Sequence, residues 1–110
     1  MTQPDKFEIT ETRSELATTL SVTGELDLRT TELLRARLAE ALRAGVSELT
    51  LDLTRLAFMD STALRLLIEL NYRAKRERWR LRLLAPTDRA AAQVLRITAV
   101  DSALPFESPS

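Results

Sequence analysis

The chain has 110 residues, 45% of them hydrophobic, and its 16 basic side chains balance its 16 acidic ones. That size and composition fit one domain with one core, and the even charge argues against a strong polyelectrolyte partner for nucleic acid. With no Cys and no His, disulfides, thiolate nucleophiles and sulfur-held metals are excluded, and the commonest general base and metal ligand are missing.

No apolar run is long enough to span a bilayer. The opening "MTQPDKFEIT" shows no basic stretch leading into an apolar one. The expected location is therefore the cytoplasm, with no membrane contact.

In chain order, Phe7 to Ile9 alternate as a strand and "TRSE" gives a turn signal. Leu16, Thr18, Leu20 and Val22 then fall on one side of a second strand, so the two predict a hairpin. After "GELD" comes a helix from about Thr31 to Ala44, with Leu34, Leu38, Ala41 and Leu42 as its apolar stripe and Leu33 alongside. Thr30 or Thr31 can cap it. Gly45 sits where a left-handed residue ends a helix, and Val46 can pack back on the last turn.

Leu49, Leu51 and Leu53 alternate with Glu48, Thr50 and Asp52, which predicts a strand with one apolar face. The next helix is predicted over Ser61 to Lys75. Leu64, Leu67 and Ile68 face inward, Leu70 and Tyr72 lie at the edges of the stripe, and Arg65, Glu69 and Arg73 lie four apart outside. Trp79, Leu81 and Leu83 mark another strand, which Pro86 stops. Thr87 can cap a third helix with Ala91, Val94 and Leu95 inside, and "ALPFE" can add a short last strand. The order β-β-α-β-α-β-α(-β) reads as a single α/β domain over residues 1–110, ordered from about 6 to 107. Its sheet is mixed but mostly parallel, with four to five strands and helices packed on it.

In such a sheet the loops after parallel strands share one edge, where ligands and partners commonly bind. Two loops qualify: Gly24 to Thr30, carrying Glu25 and Asp27, and Thr54 to Ser61, carrying Phe58, Met59 and Asp60. If their strands are parallel neighbours, Asp27 and Ser61 approach each other. Asp27 and Asp60 can then be a carboxylate pair for acid–base work or a divalent cation, or simply loop and cap residues; the local pattern favours the second. Ser61 alone reads as a helix cap. Phe58 and Met59 either plug the core or lie exposed as a binding patch. The basic run "RAKRERWRLR" reads as a solvated helix end and a strand's polar side, because Glu77 interrupts it. Trp79 reads as a core or rim residue. Only Gly24 and Gly45 are glycine, and no glycine cluster exists to cradle a nucleotide's phosphates.

Three segments in order resemble a known family. "GELDLRTTELLRARLAEAL", "LTLDLTRLAFMDSTALRLLIEL" and "RLRLLAPTDRAAAQVLRITAVD" together resemble the STAS domain of the anti-sigma factor antagonist type, over about Phe7 to Phe106. The resemblance implies a non-enzymatic regulator without a cofactor, whose unmodified form binds an anti-sigma factor that is also a serine kinase, freeing sigma. It implies phosphorylation at Ser61, with Thr62 as the alternative, and a phosphoserine phosphatase that resets the cycle. Glu25, Asp27, Phe58, Met59, Asp60, Thr62 and Ala63 would form the partner-binding region, in a monomer or weak dimer. The chain departs from the family at Ala63, where Gly is usual two places after the Ser. Ala adds a methyl that limits close backbone approach, and it favours helix by about 1 kcal/mol. Two competitors keep other roles: a STAS subunit supporting a transport complex or binding a small ligand with Ser61 unmodified, and a small enzyme using Asp27 and Asp60.

Overall fold

Thr, Val and Leu alternate along "ATTLSVTGEL", so one face of this segment is apolar and the other polar. β-branched residues suit such a half-buried ladder. In the computed structural model, which describes residues 6–98 and 104–107, this segment is strand β2 (Ala17–Leu26), with Thr18, Leu20, Val22 and Leu26 buried. It pairs antiparallel with β1 (Glu8–Ser14). The hairpin turn is Glu15–Leu16, later than "TRSE" indicated, because Glu15 takes the left-handed conformation at φ 50°. Leu16 therefore sits exposed in the turn instead of facing the core.

Helix α1 (Leu28–Arg43) buries Leu34, Leu38 and Ala41, while Leu42 packs partly and Leu33 stays out. Gly45 takes φ +93° after the helix, and Val46 packs on the core, as the pattern predicted. β3 (Glu48–Asp52) follows, with Leu49, Leu51 and Leu53 fully buried.

The expected loop after β3 contains a strand. β4 (Leu56–Met59) pairs parallel with the last part of β2, whose first part pairs with β3. Four residues with no polar alternation carry too little period to be seen as a strand.

Helix α2 (Ser61–Glu77) buries Ala63, Leu64, Leu66, Leu67, Leu70 and Ala74. Ile68 and Tyr72 are exposed, contrary to the inward or edge positions expected of them. The buried stripe is centred on Ala63, Leu67, Leu70 and Ala74, and at 100° per residue Ile68 and Tyr72 turn away from it. Arg65, Glu69 and Arg73 do not form a ladder of their own. Glu69 instead accepts from Arg35 of α1 at 2.9 Å, and Arg73 pairs with Glu77 at 2.8 Å.

β5 (Arg80–Leu84) joins β3 in parallel, and α3 (Arg89–Thr98) follows Pro86. The cap of α3 is Asp88, whose Oδ1 accepts from the Ala90 N–H at 2.8 Å. Thr87, expected as the cap, donates to the Thr54 carbonyl at 2.9 Å. β6 (Phe106–Glu107) adds to β5, held by the Arg82 fork on the Glu107 carboxylate at 2.8 and 3.0 Å. Ala99 to Asp101 of "RITAVD" and the final "SPS" lie outside the described residues. The sheet order is β1-β2-β3-β5-β6 with β4 beside β2, six strands among the described residues and parallel except for β1.

Gly24 lies past the part of β2 that pairs with β3, and the β2–β4 pairing shifts register between Gly24 and Glu25. Its φ is +105°, and an added Cβ would lie 2.8 Å from the Lys6 carbonyl oxygen and 3.0 Å from the Phe7 Cα. Both are backbone atoms and cannot rotate aside. Gly24→Ala is expected to cost on the order of 1–3 kcal/mol from the backbone conformation alone. A lowered denaturant midpoint at unchanged m would report it.

Candidate functional site

The parallel pairing of β2 with β4 sets Leu26 opposite Met59. The next residues, Asp27 and Asp60, therefore stand side by side at the edge of the sheet, and the Asp60 N–H donates to the Leu26 carbonyl at 3.1 Å. Neither expected loop is a loop for most of its length. Gly24 to Leu26 belong to β2, Leu56 to Met59 to β4, and each strand turns into its helix across one residue, Asp27 or Asp60.

Both aspartates cap the helix that follows. Asp27 Oδ1 accepts from the Thr30 N–H at 2.9 Å, and Thr30 Oγ1 accepts from the Asp27 N–H at 2.8 Å, closing a capping box. Thr30, expected as the cap residue, is the buried far side of that box. Its hydroxyl lies 2.7 Å from the Glu25 carbonyl, to which it donates. The Thr30 backbone N–H and then its hydroxyl hold the Asp27 carboxyl below its ordinary range. A depressed carboxyl contributes stability that is present above the unfolded carboxyl range and is lost as pH falls through the lower folded value.

Asp60 Oδ1 accepts from the Thr62 N–H at 2.9 Å and the Ala63 N–H at 3.3 Å. The cap of α2 is thus Asp60, and Ser61 is the exposed first helical residue. Asp60→Ala should cost about 0.5–2 kcal/mol in thermal or denaturant melts, and Ser61→Ala should stay within about 0.5 kcal/mol of wild type.

Strand alternation separates the apolar pair of this joint. Met59 is fully buried and Phe58 is 39% exposed, opposite the half-exposed Glu25. Met59 and Ala63 therefore offer no contact surface to a partner. Met59 plugs the core beneath the joint, and the Ala63 side chain is covered in the first turn of α2. Thr62 is half-buried, which leaves Ser61 as the more accessible hydroxyl.

Two residues of this edge escaped the sequence pattern. Leu28 is 68% exposed and Leu33 is 45% exposed. With Asp27, Arg29, Glu32 and Asp60 they line an open depression. The signal was present in "DLRT", a capping box with Thr in the third helical position. Starting α1 at Asp27 puts Leu28 in the first turn, off the buried stripe.

The basic run is partly neutralised within the domain. Arg73 pairs with Glu77, Arg82 with Glu107 and Glu48, and the half-buried Trp79 donates its ring N–H to Glu77 at 3.1 Å.

A family model described as "Mlab, STAS domain" matches residues 9–105. The chain belongs to the STAS family. No curated protein matches it. Among solved structures, the STAS chain is similar to an anti-sigma factor antagonist from Mycobacterium paratuberculosis, with a TM-score of 0.77 and 20% identity over 100% of this chain and 92% of that one. It is also similar to the anti-sigma factor antagonist SpoIIAA in its unphosphorylated form (TM-score 0.75, 22% identity, 96% of this chain and 89% of that one). The phosphorylated form of the Bacillus cell fate determinant SpoIIAA gives a TM-score of 0.70 at 21% identity, over 96% of this chain and 92% of that one. At such identities the likeness is one of fold. No helix among the described residues of this STAS domain is long and apolar enough to cross a membrane.

Proposed function

We propose that this STAS domain is an anti-sigma factor antagonist, a cytoplasmic binding switch with no turnover of its own. The observation that carries the reading is the joint at the sheet edge. Ser61 stands exposed at the start of α2, near two helix-capping aspartates that follow adjacent parallel strands, with Phe58 and Leu28 exposed on the same two strand-to-helix connections. The unmodified surface would bind an anti-sigma factor with serine kinase activity and release its sigma factor. A phosphate on Ser61 would sit at the partial positive end of α2, so the fold tolerates it. It would also put about −1.5 to −2 charges at a spot the partner must desolvate. A phosphoserine phosphatase would restore binding.

The test is intact mass after incubation with candidate anti-sigma kinases and ATP, followed by peptide mapping. One phosphate on Ser61 is expected, and a chain that stays unmodified with a kinase it binds tightly would overturn the switch. A second reading, a STAS subunit of a transport complex with Ser61 unmodified, draws on the departure from the antagonist pattern at Ala63, although the buried Ala63 side chain does not itself meet a partner. Stable co-purification with a transporter ATPase in place of a kinase-fold protein would favour it.

A further inference from the structure

Helices α1 and α2 leave an open groove of about 420 Å³ between them. Its lining begins at Arg35 on α1 and Leu66 on α2, past the first turn of each helix, and runs toward their C-terminal ends. Ala39 is small and exposed in it, Leu42 is half-exposed, and the outer edges of Leu66 and Leu70 complete its floor. On the rim Tyr72 is 67% exposed, and the Arg76 guanidinium lies 5.7 Å from the centre of its ring.

We infer that this groove is a second docking surface, for an amphipathic helix with acidic flanks on a protein partner. The groove is open along its length, which suits a helix laid against two helices better than an enclosed small molecule. An alanine between larger apolar residues lets a third helix approach closely. The rim carries aromatic and arginine side chains and no lysine, the composition found in the centres of protein interfaces.

Charge sets the sign of the partner. The lining has three arginines against one carboxylate, Glu69. Arg35 and Arg73 already hold Glu69 and Glu77 at 2.9 and 2.8 Å. Among the described residues Arg76 has a single carboxylate contact, Glu77 at a distant 4.0 Å, and its guanidinium lies over the Tyr72 ring. Among the described lining residues Arg76 is thus the least paired cation for an incoming carboxylate, and Tyr72 is the apolar face beside it.

The probe is a synthetic amphipathic helix of about fifteen residues, long enough to hold its own turns. It has leucines three and four apart and glutamates flanking them, with a lysine-for-glutamate version as control. The isotope-labelled full chain is titrated with each and followed by NMR. The acidic peptide is expected to shift resonances of Ala39, Leu42, Leu70 and Tyr72, and to bind at least tenfold tighter than the lysine version. Arg76→Glu, an exposed change whose melt checks folding, should abolish that preference, and Ser61→Glu should leave it untouched. Equal binding of the two peptides, shifts centred on Ser61, or no shift with either peptide would overturn the proposal.

Discussion

Leu51→Asp is expected to leave no folded protein. Leu51 is fully buried on β3, with Leu20 of β2 on one side and Leu83 of β5 on the other, both also fully buried. A carboxylate there has no cation within the core to meet it, since the neighbours that close the site are leucines of the sheet and the helices above. An unpaired charge in such surroundings costs several kcal/mol, and a domain of this size has roughly 5–15 kcal/mol in total. The carboxyl can escape part of the cost by staying protonated, which makes the loss larger as pH rises. Circular dichroism and thermal melts of the mutant check this. A cooperative melt near the wild-type midpoint would show that β3 is not the central strand of the core.

What the sequence discloses follows from how strongly each segment repeats. β2, β3 and β5 alternate over five residues or more, and their inward leucines are legible at once. α1 carries both a stripe and a glycine terminator, so its end was placed well. Its beginning was not, because "DLRT" satisfies the helix through side chain-to-backbone bonds that leave no period to read. β4 was hidden for a different reason. Its existence depends on β2 being long enough to pair with two partners in succession, which is a tertiary fact that four residues cannot carry. The same tertiary fact decides the fates of Phe58 and Met59. Inside a loop their directions are open, whereas on a parallel strand one must face in and the other out. That the two connections carrying Asp27 and Ser61 approach each other was legible on the condition of parallel neighbouring strands, although the strand that meets the condition, β4, was not. Leu28 and Leu33 beside them were not, since a leucine off the stripe looks the same in sequence as one on it until the helix phase is known.

Ser61 carries the largest expected effect on binding. It is the exposed first residue of α2, and the capping work there is done by Asp60, so three variants separate surface chemistry from folding. Ser61→Ala should melt like the wild type, bind the anti-sigma partner as tightly, and never be switched off by kinase and ATP. Ser61→Glu should also melt normally or slightly higher, because a negative group suits a helix N-terminus. It should still bind at least about tenfold more weakly, which requires only 1.4 kcal/mol of interface penalty. The phosphorylated protein should be weaker again, since its charge is greater and Asp60 stands next to it. Calorimetric titration of all four forms against one anti-sigma factor, with melts alongside, decides between outcomes. Equal affinity of Ser61→Ala and the phosphoprotein would end the switch reading. Weak binding together with a collapsed melting temperature would place the effect in the fold and remove the surface mechanism. Modification of Thr62 with Ser61 untouched would keep the mechanism and move the acceptor, against the greater exposure of Ser61 and the half-burial of Thr62.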